Sequence, residues 1–301
     1  MTAPAWPSRH PRATAPRLAV RAKVTATTAL LALAGVYVLV PIYWLIVASS
    51  KNTGQLFSTN TFLLPLHPSW GSNFSSLFSY ESGDYKWWLL NSFIYSSVTA
   101  TLATAVSTVC GYGLAKYEFR GRRAAFGLVV GSLMVPGTAL VVPLFLLEHY
   151  MGLTNTYQGV VLPLVVYPFG VYFMSIYAAE AVPDTLMDSA RVDGAGEFRS
   201  LWQIGRPILM PGMVTLFLLS FIGTWNNYFL PLVLLGTETR FPLTVGLSAW
   251  ASTLSEVGAG QPLYSNVILG SLVSVLPMLV LFPFLQKYVA RGLTFGAVAG
   301  E

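Results

Sequence analysis

The chain has 301 residues, of which 54% are hydrophobic and only 10% charged, with a mean hydropathy of +0.61. So few polar side chains cannot cover a water-soluble globule of this size, which excludes an ordinary cytosolic domain and makes lipid part of the solvent. The formal charge of +5 and pI near 9.3 do not mark a nucleic-acid binder, because the basic residues lie beside apolar runs, where topology and anionic headgroups account for them.

Residues 1–23 read as a disordered tail rich in Ala, Pro, Arg and Thr without an apolar period. Six uncharged intervals follow: Val24–Ser50, Trp87–Ala115, Ala124–Leu147, Tyr150–Ala179, Pro207–Thr237 and Val257–Gln286. Each accommodates the ~20 apolar residues of a spanning helix. Backbone polar groups find no partners in lipid, and the runs lack the alternation of a barrel strand, so helices are expected. The first run exceeds the ~7–15 residues of a signal-peptide core and reads as an uncleaved anchor. The expected fold is all-α: a polytopic membrane protein with six transmembrane helices over residues 24–290 and a short tail at 291–301.

Lys and Arg are retained on the cytoplasmic side of a membrane. Fourteen of the seventeen fall in the N-terminal tail, the Lys116–Arg123 loop, the Glu180–Arg206 loop and the C-terminal tail, leaving only Lys51, Lys86 and Arg240 in the alternate loops. Both termini are therefore expected in the cytoplasm, which requires an even number of spans.

In chain order, the first external loop, about Lys51 to Lys86, suggests a small lid or short interfacial helices, and Trp70, Trp87 and Trp88 fit an aromatic belt. Met134, Pro136 and Pro143 predict a distorted third span. Cys110, the single cysteine, lies within the second span and supports no disulfide or thiolate cluster.

The loop Pro183–Pro207 is amphipathic and mixed in charge. Pro183 and Asp184 suit the first turn of a helix, and Asp193-Gly194 suits a reversal with φ > 0. A second helix is expected from about Ala195 to Ile204, stopping before Pro207, with Phe198, Leu201 and Trp202 on one face. A short helix pair cannot bury Phe198 and Trp202 unaided, so this face either packs on neighbouring spans or docks into another protein.

The same loop resembles the signature of ABC-importer permeases: Glu-Ala-Ala, three residues, Gly, nine residues, Ile-x-Leu-Pro. Asp188-Ser189-Ala190, Asp193-Gly194-Ala195, Ile204 and Pro207 stand in register, while Asp-Ser replaces Glu-Ala and Arg206 replaces Leu. Thr224-Trp-Asn-Asn-Tyr-Phe-Leu-Pro231, Phe241-Pro-Leu-Thr-Val-Gly-Leu247 and the segment from Gln286 to Gly300 resemble carbohydrate-importer permeases, the smaller maltose-type subunit in particular. This resemblance implies that the loop is a coupling helix docking on an ATPase through Asp188, Ala190, Asp193, Gly194, Ala195, Phe198, Trp202, Ile204 and Pro207. It also implies a second homologous permease, two ATPase subunits carrying ATP and Mg, and an external solute-binding protein, with a C-terminal contact in which Ala299 replaces the usual Lys. No cofactor is expected on this chain.

Polar residues within a span usually face a cavity, so Thr224, Asn226, Asn227 and Tyr228 are the candidates for a solute path. As helical neighbours, Asn226 and Asn227 cannot both face one narrow pore. Trp225 and Tyr228 could stack on a sugar ring, although large aromatics in a span are more often packing or interfacial residues. No ionisable residue lies deep in the six intervals, which favours a neutral solute. There is no Gly-x-x-x-x-Gly-Lys-Ser/Thr phosphate loop, and His10, His67 and His149 lack metal-ligand spacing, so an enzyme is not expected. A secondary transporter or a structural membrane protein are the rival readings; the first requires ion sites and repeats, and the second has no need of a docking loop.

Overall fold

The computed structural model describes residues 17–257 and 263–294, with side chains described for residues 23–254 and 263–283. Its regular elements are all helical: α1 (Arg17–Ser49), α2 (Thr53–Ser58), α3 (Trp70–Ser79), α4 (Asp84–Lys116), α5 (Arg122–Ser132), α6 (Val141–Tyr150), α7 (Tyr157–Val165), α8 (Pro168–Ala181), α9 (Asp184–Val192), α10 (Glu197–Ser200), α11 (Arg206–Trp225), α12 (Phe229–Leu234), α13 (Leu243–Val257) and α14 (Leu263–Thr294). Five stretches are long and apolar enough to cross a membrane: Lys23–Ser49, Trp70–Lys116, Tyr157–Ala181, Glu197–Trp225 and Leu263–Pro283. The sixth expected span is a broken pair, Arg122–Ser132 and Gly137–Tyr150, bent by 96°.

Several boundaries differ from expectation. Helix α1 begins at Arg17, so residues 17–23 of the expected tail are helical; Arg-Leu-Ala-Val-Arg-Ala-Lys is a run of good helix formers continuous with the apolar stretch. Helix α14 extends to Thr294, four residues into the expected C-terminal tail. Residues 1–16 and 295–301, including Ala299, lie outside the described residues. The loop before α4 contains α2, α3 and a short turn of helix at Tyr80–Gly83, so short helices stand in the segment for which a small lid or short interfacial helices were expected.

Proline placement explains the breaks. Pro136 disfavours helix at Val135 and carries extended backbone itself, ψ 124°, so the third span turns a right angle where a mild distortion was expected. Pro143 falls in the first turn of α6, where its missing N–H is harmless. Helix α11 ends at Trp225, ahead of Pro231, whose ring would crowd the carbonyl of Asn227 in a continuous helix; Pro231 is accommodated in the first turn of α12. Pro207, by contrast, does not stop its helix. Leu201–Gly205 is one wide turn in which the Arg206 N–H reaches Leu201 O, and it carries Glu197–Trp225 through as a single span.

Helix α4 is the axis of the bundle and packs against α7, α8, α11 and α13. Its contact with α8 uses small residues, Ser107 against Gly170 and Gly111 against Met174, which let two backbones approach closely. A Cβ on Gly111 would lie 2.7 Å from Met174 Cβ and 2.8 Å from the Met174 carbonyl carbon. Backbone cannot yield there, so Gly111→Ala is expected to cost ~1–3 kcal/mol, read as a lower thermal midpoint of the purified chain.

At the end of α4 opposite the Pro183–Pro207 loop, Tyr85, Trp88 and Trp250 form the centre of an apolar cluster with Leu77, Leu243, Leu263 and Leu269. Trp88 is only 1% exposed and donates its indole N–H to Glu238 O at 2.8 Å. The aromatic-belt expectation therefore fails for Trp88, whose indole finds both its apolar packing and its acceptor inside the protein. Trp70 and Trp87 remain half-exposed. Helix α1 lies against α14 and turns most of its apolar surface, including Leu30, Leu31 and Tyr37, outward.

Candidate functional site

The loop between α8 and α11 is held in one shape by its inner face. Met187, Ala190 and Leu201 are buried, Met187 and Leu201 within a cluster formed by Tyr112, Met174, Tyr177, Ala178, Val182, Leu209 and Leu216. Tyr112 donates its hydroxyl to Met187 Sδ at 3.0 Å. Gly194 has φ +74°. Its N–H donates to Arg191 O at 3.0 Å and the Ala195 N–H to Ala190 O at 2.9 Å, the paired bonds of a Schellman stop. Only glycine takes this backbone without strain.

Charges brace the same turn. Arg191 bridges Asp188 at 3.3 Å and Glu197 at 3.5 Å, tying α9 to α10. Lys116, at the end of α4, meets Asp184 at 2.8 Å; the lysine side chain is 4% exposed and the carboxylate 84%. The hydrogen bond and charge of Lys116 hold the Asp184 carboxyl below its ordinary pKa. A lowered folded-state pKa means that the contribution is fully present above the ordinary carboxylate pKa and is lost as pH falls through the lowered one. Amide exchange in α9 is therefore expected to stay constant from neutral pH down to the carboxylate range, once corrected for intrinsic chemistry, and to accelerate only below it. Beside α9, burial and a hydrogen bond to Glu197 raise the pKa of Tyr117.

The outer face is open. Asp188, Asp193 and Gly194 are exposed, Ala195 and Ile204 half-buried, and Pro207 exposed. Phe198 and Trp202 are 75% and 55% exposed and stack on each other with centroids 6.2 Å apart. Two sequence expectations change. Ala190 is buried and packs inward, because the α9 face that carries Met187 also carries Ala190. The Phe198/Trp202 pair also borders a groove of about 420 Å³ with Thr101, Thr108, Met210 and Phe217, and the Arg206 guanidinium lies 4.4 Å from the centroid of the Trp202 ring. Val192, beside the turn, is 88% exposed and was not among the residues singled out by the sequence.

The second set of candidates lies at the break between α11 and α12. Thr224 is buried, Asn226 and Tyr228 are exposed and Asn227 is half-buried. Since the helix ends at Trp225, the helical-neighbour argument does not apply to Asn226 and Asn227. Asn226 Nδ2 caps the helix end at Ile222 O, 2.9 Å away. Thr244 donates to Asn227 O at 2.7 Å and Ser248 to the Tyr228 hydroxyl at 3.2 Å, which ties the break to α13. Trp225 is 4% exposed and stacks on Phe221, so its ring is a packing surface. The break in the third span lies close by, because α6 packs on α12 through Val141, Leu230 and Leu234. Residues 131–140 are exposed throughout. Glu148, two residues before the end of α6, is buried, and its Oε2 has no hydrogen-bond partner among the described residues. It is an ionisable group that the uncharged intervals did not include.

Residues 107–295 match the family of the binding-protein-dependent transport system inner membrane component. The chain belongs to that family. It is a multi-pass transport permease of the inner-membrane type. The chain is 37% identical to the arabinooligosaccharides transport system permease protein AraQ of Bacillus subtilis, over 87% of this chain and 91% of that one. It is 31% identical to the diacetylchitobiose uptake system permease protein NgcG of Streptomyces coelicolor, over 89% and 86% respectively. A solved structure of a bacterial ABC transporter involved in alginate import shares the fold, with a TM-score of 0.78 at 23% identity, over 89% of this chain and 96% of that one.

Proposed function

We propose that this permease imports an oligosaccharide or related neutral polar solute as one of two permease subunits in an ATP-driven transporter. The observation that carries this reading is the identity over nearly the whole chain to permeases named for oligosaccharide uptake. The partners are a second homologous permease, two ATPase subunits that bind ATP and Mg, and an external solute-binding protein. Both termini and the α9–α10 loop lie in the cytoplasm, as the concentration of Lys and Arg in the two tails and in the Lys116–Arg123 and Glu180–Arg206 loops supports.

The solute passes beside the breaks of the third and fifth spans. Non-helical backbone in a membrane protein is stable only where protein or water covers it, and residues 133–136 within the exposed stretch 131–140, together with Asn226–Tyr228, provide such backbone. ATP closes the ATPase dimer; the α9–α10 unit, bound to it through Val192, Phe198 and Trp202, moves with it. Because Met187 and Leu201 join that unit to α4, α8 and α11, its displacement turns the spans between inward-open and outward-open states.

Reconstitution into vesicles with the partner permease, ATPase subunits and binding protein tests this. Hydrolysis stimulated by oligosaccharide-loaded binding protein supports the reading. Stimulation by amino acids or inorganic ions and not by oligosaccharides contradicts it.

A further inference from the structure

Where α4 ends and α5 begins, a groove of about 910 Å³ opens between these helices and α8. Its walls include Leu114, Phe119, Phe126 and Ile176, with Phe119 49% and Ile176 41% exposed. Arg122 and Arg123 line it, and Arg120 adjoins it in sequence. Among the described residues, none of these three arginines forms an ion pair. Arg122 is held by neutral acceptors, Leu114 O at 2.7 Å and Ala115 O at 3.3 Å, so its charge is uncompensated. Glu118 also lines the groove, Glu180 adjoins it in sequence next to Ala179, and Asp184 is engaged by Lys116. Three arginines against two glutamates leave the rim positive beside an apolar wall.

We propose that this groove holds an anionic phospholipid, with its phosphate at the arginine rim and its upper acyl carbons along Phe119, Phe126 and Ile176. The groove lies at the end of the spanning stretch Trp70–Lys116 and at the start of the broken pair, at Arg122, the depth at which a phospholipid would present its phosphate beside its acyl chains. A basic pocket between helix ends is suited to a headgroup in this way. Placement in the cytoplasmic leaflet rests on the orientation proposed above; the ligand chemistry does not.

The test is native mass spectrometry of the full chain in detergent, titrated with phosphatidylglycerol or phosphatidylcholine. Phosphatidylglycerol is expected to bind preferentially, and Arg120→Gln with Arg123→Gln to weaken it ~30-fold, at roughly a factor of five per cation. Ala179→Phe, which narrows the wall without touching a charge, is expected to weaken it as well, whereas Arg199→Gln on α10 leaves it unchanged. Equal binding of the two lipids, or indifference to both groove variants, would overturn the proposal. So would release of the lipid on assembly with the ATPase subunits, which would give the groove to a protein partner. The measurement involves no transport, so its failure and a failure of the import reading are separately visible.

Discussion

Replacing Phe198 and Trp202 together with alanine is expected to leave the chain folded in the membrane and to weaken its association with the ATPase subunits at least ~30-fold, a loss of ~2 kcal/mol or more. Both rings are more than half exposed, so little packing within this chain is lost. Stacked as a pair, they form one apolar surface whose contributions to binding are not additive. The single variants are expected to differ. Trp202 already meets Arg206 and is the less exposed of the two, so Phe198→Ala is the more damaging to association. Co-purification measures the effect, with membrane content as the control. An unchanged complex would assign both rings to contacts along the spans.

Trp88→Ala carries the largest expected loss of stability, ~3–5 kcal/mol. It removes a fully buried indole packed on Trp250 at 4.5 Å between centroids, together with the donor to Glu238 O. The thermal midpoint of the detergent-purified chain is expected to fall by about 10 °C. Trp87→Ala, one residue earlier and 43% exposed, is expected to cost under ~1 kcal/mol. Equal shifts for the two would mean that Trp88 is not the centre of this cluster.

The spans were legible in the sequence because lipid leaves the backbone few choices: an uncharged run of sufficient length must pair its own amide groups, and it does so as helix. The reversal at Gly194 was legible for a similarly local reason, since Asp-Gly after an amphipathic turn meets a backbone requirement that few residues satisfy. Features that depend on distance along or across helices were not legible. Pro231 acts on Asn227, four residues upstream, so Asn226 and Asn227 read as mid-helix while the helix had already ended. Pro207 reads as a stop, yet one wide turn at Leu201–Gly205 absorbs it. The burial of Trp88 follows from α13 folding back onto α4, a contact between segments ~150 residues apart that periodicity does not encode. Ala190 matches the permease signature in register, but the inward face of α9 is set by the Tyr112–Met187 contact. The geometry thus separates the loop's anchoring residues from its exposed ones.

The most direct test of the docking loop is a cysteine at Val192, which is 88% exposed, introduced with Cys110→Ser so that it is the sole thiol. Cross-linking to the ATPase that changes with bound nucleotide, together with protection from a membrane-impermeant maleimide added outside intact cells, is the predicted result. Labelling from outside, or cross-linking only to other spans of the transporter, would contradict the account.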